Sequence, residues 1–581
     1  MIWGIEPQVS APQDRAGWPG IRALLATLII LLGLIVVGSA ITGANHGSGL
    51  SQFFWQRQDW PMLLVLLAGL LQLRRTNTGT RVALFNAQIA PWMIWLAAFI
   101  IALLTWSGHY WLMAGYDLSR DEQMVLFDAA IIAQGDGFAR LPHDWSAVGS
   151  ALSRVFILPG IADNAWVSAY LPGNAALHAI GAALGDTRLA APILAGLAIV
   201  ALWDCARRLW PDDTAPQAIA LLCLLLSAQF LVTATTSYAM TAHLSLNLVW
   251  LTLFLRGRWW CYALLLPIGF VATGLHQPIF HPLFVAPFLW LLVERRGWRL
   301  LAFLTIGYAA VGLFWLGWPA MVIAATGSAS HQTAVEGASY LTRLIDTLGG
   351  WSPSGVWVMA LNLLRFAAWQ HLLLLPLVTV GVVTSWRSSG LVRALALAPL
   401  ITIAVMLILL PYQGHGWGYR YLHGLIGNLC LLAGFGWLAL RERGIDRWRV
   451  VALSSAASLI GLAWLGGNAH RMVVPYATID RAIAASRADY VLIDDTTAPF
   501  AQDLVYNPPY LERRPIRLAA SAVSQLRWPQ SLCTGKRVAI VDQKALASIN
   551  RLFKTAQPIG ASPALQKARA RLLASGCTVI Q

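Results

Sequence analysis

The chain has 581 residues, of which 57% are hydrophobic and 12% charged. A soluble globular protein gives about a quarter of its residues to Asp, Glu, Lys and Arg, so this composition, with a mean hydropathy of +0.61, excludes a soluble enzyme, a fibrous protein and a disordered chain. The net charge of +15 therefore reads first as a topology signal and not as affinity for nucleic acid.

A bilayer core of about 30 Å takes roughly 20 apolar residues per helix. Windows of that size predict spans near 21–42, 60–74, 88–107, 187–206, 216–234, 242–256 and 259–275. The series continues near 280–294, 299–325, 371–386, 392–411, 420–440 and 448–467, which makes about thirteen spans. The first lacks a small-residue cleavage site and reads as a retained helix, not a signal peptide. Arginines cluster in alternate gaps: Arg15, then Arg74, Arg75 and Arg81, then Arg207 and Arg208, then Arg256 and Arg258. Arg295, Arg296 and Arg299, then Arg387 and Arg393, then Arg441, Arg443, Arg447 and Arg449 continue the pattern. The positive-inside rule makes these gaps cytoplasmic, with the N-terminus inside and the C-terminus outside. The expected fold is a polytopic α-helical protein of a bacterial-type cytoplasmic (inner) membrane.

The long gaps fall on the opposite side, at 108–186, 326–370 and 467–581. Large one-sided loops suit an enzyme working at the outer membrane face better than a channel or simple carrier. The chain thus divides into N-terminal membrane helices (1–107), a first outer loop (108–186), a transmembrane core (187–467, with the outer loop 326–370) and a C-terminal outer segment (468–581). That last segment holds every Lys of the chain (Lys536, Lys544, Lys554, Lys567). Its short apolar runs 490–494, 515–518 and 537–542 read as buried strands, and 544–553 and 564–574 as helices, so a small α/β extracytoplasmic domain is expected. Cys533 and Cys577 lie in it. An oxidising compartment permits a disulfide between them, but spacing leaves two free thiols open.

The first outer loop opens with Tyr116-Asp-Leu-Ser-Arg-Asp121-Glu122-Gln-Met-Val-Leu-Phe-Asp128. Val125, Leu126, Ala129 and Ile132 form an apolar stripe, expected on a helix lying along the membrane surface. Asp121 and Glu122 begin that helix. Two acids there can abstract a proton from a hydroxyl or hold a divalent cation; equally, Asp121 or Ser119 can cap the helix and Glu122 favour its dipole. Further on, Tyr170-Leu-Pro172-Gly173 opens a second short helix running to about Leu184.

The order of features (a span, Asp-Glu, a surface helix, a Tyr-x-Pro-Gly helix, a span opened by Arg188, then Ala206-Arg207-Arg208-Leu209) resembles the GT-C superfamily of membrane glycosyltransferases. The closest likeness is to bacterial members related to protein O-mannosyltransferases and lipid A aminoarabinose transferases. The resemblance covers about 105–440. It implies Asp121 as catalytic base with Glu122 beside it, and a polyprenyl-phosphate sugar as donor. The acceptor is left open among glycan, lipid and protein. Membrane lipids are implied as further partners, and nucleic acid is not.

Three other stretches carry chemistry. Thr235-Thr-Ser-Tyr238-Ala-Met-Thr241-Ala-His243 has no acid where many GT-C enzymes place a second one, which puts a divalent metal in doubt and favours metal-independent transfer. His243 there is a polar contact to donor or acceptor, or a satisfied interfacial histidine. His276 and His281, broken by prolines, have poor metal-ligand spacing and read as cavity-lining, or as a kinked span end. Gln413-Gly-His415-Gly-Trp417-Gly418-Tyr419-Arg420-Tyr421 precedes a helix start and resembles the Gly-x-Arg-Tyr segment of bacterial GT-C proteins, which implies contact of Arg420 with the donor phosphate. An outer arginine also runs against the positive-inside trend.

Together these readings give an inverting single displacement, with Asp121 as base and Arg420 holding the departing polyprenyl phosphate. Glu122, His243, His276, Tyr170, Tyr419, Tyr421 and His415 are positioning or binding candidates. A flippase of lipid-linked sugars and a ligase-like transferase of whole glycans are the rival classes. Scarce intramembrane acids and the absence of a repeated half weigh against the first.

Overall fold

The computed structural model describes residues 19–44, 49–75, 89–153, 155–327, 354–441, 448–556 and 560–580. The topology arginines Arg15, Arg81, Arg443 and Arg447, and most of the gap 326–370, lie outside them. Two compact units divide the chain: one comprises 1–107, 191–315 and 344–468, the other 108–190, 316–343 and 469–581.

The first unit is helical. Among the described residues of the whole chain, six helical stretches are long and apolar enough to cross a membrane: Pro91–Trp111, Thr187–Leu209, Trp298–Ala325, Gly390–Leu409, Arg420–Arg441 and Trp448–Ala484. Shorter apolar helices such as Met240–Arg256, Trp259–Thr273 and Phe280–Glu294 pack among them. Arg420–Arg441 is 89% buried over its apolar window, whereas Pro91–Trp111 is 22% buried. Trp92, Trp95, Phe99 and Leu103 on the latter are exposed, as a lipid-facing helix requires. Leu374–Ser385 packs on Ile426–Arg441 through Gly381 and Gly436. A Cβ on Gly436 would collide with the Leu377 carbonyl, so glycine permits a close backbone approach of the kind that holds helices together in lipid.

The span expected at 216–234 is broken: Thr214–Leu225 ends, Ser227 caps a new turn through the Phe230 N–H, and Ala228–Thr233 follows. A serine that bonds forward to the backbone starts a helix more readily than it continues one. Inside the stretch expected as an outer loop, 326–370, lies the helix Ser354–Ala368, with Met359, Leu361, Leu364 and Phe366 buried. Its apolar face packs on Pro19–Ala44 and Trp60–Arg75.

The second unit contains a four-stranded parallel sheet in the order Ile516–Ala519, Tyr490–Ile493, Arg537–Val541, Thr578–Val579. Tyr490 is in register with Ile516 on one side and Val538 on the other. Helices Ala547–Phe553 and Pro563–Ala574 belong to the same segment, and Cys533 and Cys577 are joined by a disulfide with a Cα–Cα separation of 4.4 Å. The first-loop helix Arg120–Ala133 does not lie with one stripe free for a membrane surface. Met124, Phe127 and Ile131 enter one core with Trp166, Leu492, Leu518 and Val538, and Val125 and Ala129 are buried as well. Residues 120–166 and the C-terminal sheet therefore share a core.

Candidate active site

Two polar clusters hold the residues singled out above, one in each unit. The first stands at the start of Arg120–Ala133. Ser119 caps this helix: its Oγ accepts the Glu122 N–H, while Glu122 Oε2 accepts the Ser119 N–H, a reciprocal capping box. Glu122 is buried. Loss of hydration, reinforced by the neighbouring Asp117 charge, pushes its carboxyl up to about 8 despite the Ser119 hydrogen bonds. At neutral pH it is a protonated helix cap, not a second ionised acid beside Asp121.

Asp121 is half-buried, and its Oδ1 accepts a short hydrogen bond from the Tyr170 hydroxyl. Asp121 and Tyr170, each singled out separately above, thus meet, because the loop preceding Gly173–Ala183 returns Tyr170 to the first turn of Arg120–Ala133. The Phe156 ring lies 5.5 Å from that of Tyr170. The flanking ionic groups are otherwise engaged: Arg188 pairs with Asp117 at 2.9 Å and donates Nε to His109 Nε2 at 2.6 Å. Arg120 donates to the Gln502 and Val505 carbonyls at 2.7 and 3.0 Å, beside Asp503. Burial raises the Asp503 carboxyl to about 6 even with Arg120 opposing it, and burial raises Asp128, bonded to Ser168, to about 7.

Glu122 is turned to its own cap and Asp121 to Tyr170. Among the described residues no three His, Cys, Asp or Glu side chains gather as a metal site.

The second cluster is a small pocket inside the helical unit, lined by Met240, His243, Asn247, Phe280, Thr402, Arg420, Tyr421, Gly424 and Leu425. It unites three expected residues, His243, Arg420 and Tyr421. His243 sits in the first turn of Met240–Arg256 and is 2% exposed, and neither ring nitrogen has a hydrogen-bond partner among the described residues. Asn247, one turn on, donates to the Gly424 carbonyl at 2.9 Å and accepts from His281 Nδ1 at 2.7 Å. The Tyr308 hydroxyl donates to the other His281 nitrogen at 2.8 Å. His281 is thus a satisfied core histidine that braces Asn247.

Arg420 is 6% exposed and begins the 3-10 turn Arg420–Leu425. Its guanidinium lies 5.0 Å from the Tyr238 ring centroid and 6.0 Å from that of Tyr421, which favours the cation without neutralising it. Among the described residues that line the pocket, Arg420 is the charged one.

Three expected residues lie away from this pocket. Tyr419 is fully buried in the hydrophobic core, where its carbonyl accepts from Gln229 at 2.8 Å, and it does not line the pocket. His415 is buried within the preceding segment, and His276 sits half-buried in the connection 274–279; neither is a lining residue. Aromatic and histidine side chains near a cation in sequence alternate in direction, so only some face it in space. Asn247, Phe280 and Thr402 were not anticipated, since a single polar residue within an apolar helix gives little warning of what it faces.

The fold, a helical unit and a sheet-bearing unit in one chain, is similar to that of a solved protein. The solved structure of ArnT from Cupriavidus metallidurans bound to undecaprenyl phosphate aligns with 85% of this chain and 90% of its own, at 14% identity and a TM-score of 0.51. The apo structure of that ArnT aligns with 73% of this chain and 85% of its own, at 14% identity and a TM-score of 0.45. No family model and no curated protein matches the sequence.

Proposed function

We propose that the chain is a membrane glycosyltransferase that moves a sugar from a polyprenyl-phosphate donor to an acceptor hydroxyl at the outer face of the cytoplasmic membrane. The observation that carries the reading is the pocket of Arg420 and His243. A buried imidazole without a hydrogen-bond partner among the described residues, set beside a guanidinium and enclosed by apolar helices, is costly unless a ligand completes it, and the neighbouring cation favours an anionic one. A phosphate reached from the lipid phase is such an anion, and ArnT, which shares the fold, is the protein solved with undecaprenyl phosphate.

In the proposed reaction the acceptor oxygen attacks the anomeric carbon and the bond from that carbon to the phosphate oxygen breaks. The departing electron pair stays on the polyprenyl phosphate, whose added charge Arg420 stabilises while His243 donates a hydrogen bond. The acceptor proton passes to the Asp121 carboxylate, which Tyr170 orients. The configuration inverts, because one displacement occurs. No step of this reaction passes through a metal. The arginine pattern supports a cytoplasmic N-terminus and an outer C-terminus.

Purified protein given radiolabelled polyprenyl-phosphate sugar and envelope acceptors tests the reading. Labelled acceptor with release of polyprenyl phosphate supports it, and Asp121→Asn abolishes that product. Passage of intact donor across vesicles without product would identify a carrier instead.

A further inference from the structure

The helix Ser354–Ala368 carries a second deeply buried arginine, Arg365, 1% exposed. Its guanidinium carbon stands 3.7 Å from the Phe54 ring centroid, and the Asp59 carboxylate is its charge partner. Asp59 in turn accepts the Trp369 indole N–H at 3.1 Å. Phe54 and Asp59 bracket the π-helical turn Trp55–Asp59, a wide turn of a kind that recurs at functional sites. Arg365 Nε and Nη1 have no hydrogen-bond partner among the described residues, while Nη2 donates to the Gly416 carbonyl at 2.6 Å. The ring face and the carboxylate thus offset the charge, and the directional bond goes to the segment that leads into Arg420.

That segment is gripped along its length. One turn before Arg365, Asn362 Nδ2 donates to the Pro411 carbonyl at 2.7 Å. Just past the helix, Gln370 donates to Gln229 at 2.9 Å, and Gln229 to the Tyr419 carbonyl. Within the segment, Gln413 accepts the Arg420 N–H at 2.8 Å and donates to the Gly418 carbonyl at 2.9 Å. Gly416 has a φ of +150°, and a Cβ on it would collide with Arg420 Cδ and stand 2.6 Å from Cγ. The peptide that Arg365 holds is therefore the one against which the stem of Arg420 lies.

We infer that Arg365 is a positioning residue for the anion pocket: it fixes the Gly416 peptide and through it the guanidinium of Arg420, so that the pocket is pre-shaped for a lipid-linked phosphate. This rests on the donor reading above. A purely structural role would be filled more cheaply by a buried Leu or Met, whereas a second cation within electrostatic range of Arg420 favours an anion there.

The test compares the parent protein with Arg365→Met, Arg365→Lys, Asn362→Ala, Arg420→Met and the Arg365→Met/Arg420→Met double variant, in detergent. Binding of undecaprenyl phosphate and backbone hydrogen exchange of 411–420 are measured on each. Loss of a hydrogen bond to a charged group weakens binding roughly 10- to 100-fold, so Arg420→Met falls in that range. Arg365→Met loses about tenfold by loosening Arg420, the double variant binds no more weakly than Arg420→Met alone, and Arg365→Lys recovers part of the loss. Exchange over 411–420 accelerates in Arg365→Met and Asn362→Ala but not in Arg420→Met. Additive losses, or parent-like exchange in Arg365→Met, overturn the inference. If Arg365→Met yields no monodisperse protein, Arg365→Lys and Asn362→Ala decide by the same readouts. A parent that binds no undecaprenyl phosphate overturns the donor reading instead, and exchange then decides the role of Arg365 in holding the segment.

Discussion

Glu122→Gln separates the two uses of the Asp121-Glu122 pair. In the folded protein Glu122 keeps its proton to about pH 8, against an ordinary value of 4.5, because it is desolvated and faces the Asp117 charge. The unfolded chain releases that proton first, so the stability Glu122 supplies is full below pH 4.5 and is lost as pH climbs to 8. Between pH 5 and pH 8 this linkage removes about 3 kcal/mol from the folded state. Asp128, at about 7, and Asp503, at about 6, add falls of the same sign. Glutamine keeps a neutral acceptor for the Ser119 N–H and has no proton to lose. Thermal unfolding of the purified protein, followed by tryptophan fluorescence, then shows a parent that melts lower at pH 8 than at pH 5. Glu122→Gln matches the parent at pH 5 and exceeds it at pH 8 by about 2–3 °C, at roughly 1 °C per kcal/mol for a chain of this length. Its transfer activity stays near that of the parent. An unchanged pH dependence in the variant refutes the neutral-cap reasoning, and loss of transfer with unchanged melting assigns Glu122 to catalysis.

Gly416→Ala forces Arg420 aside, so undecaprenyl phosphate binding weakens at least about tenfold while the helical circular dichroism is kept; parent-like affinity would show that the stem of Arg420 has room. His243→Ala removes a neutral hydrogen bond to the donor and raises KM roughly 5- to 10-fold at nearly constant kcat; steady-state kinetics check this, and a fall in kcat alone would give His243 a chemical role instead. Peptide mapping of unreduced protein from cells finds Cys533 linked to Cys577, while the buried Cys205, Cys223, Cys261 and Cys430 resist thiol reagents until denaturation. Free Cys533 and Cys577 in native membranes contradict an outer location for this segment.

Local and periodic features were legible before the fold was known. The helix at 120–133 announced itself through Ser119 and Glu122, whose reciprocal bonds span three residues and need no tertiary partner. The short apolar runs 490–494, 515–518 and 537–542 marked strands for the same reason, each within a residue of the strand observed. The helical membrane fold followed from bulk composition. What depends on chain segments far apart was not legible. Trp166 and Leu492 meet across more than three hundred residues in one core, and no local pattern joins the first loop to the C-terminal sheet. Asp121 and Tyr170 were each singled out, but their hydrogen bond was not foreseeable from a spacing of 49 residues. Arg365 is instructive: the argument that drew attention to Arg420, an arginine on the side where the positive-inside trend expects few, applied equally to it. Its stretch read as loop because Asn362 and Arg365 interrupt the apolar run of this 15-residue helix.

The central claim is tested most directly by incubating purified parent and Asp121→Asn proteins with radiolabelled polyprenyl-phosphate sugar and an extract of envelope acceptors, and measuring labelled acceptor against released polyprenyl phosphate. The account predicts equal amounts of both products from the parent and a fall of at least about 100-fold in Asp121→Asn, with undecaprenyl phosphate binding intact. Product formation by Asp121→Asn at the parent rate would contradict it.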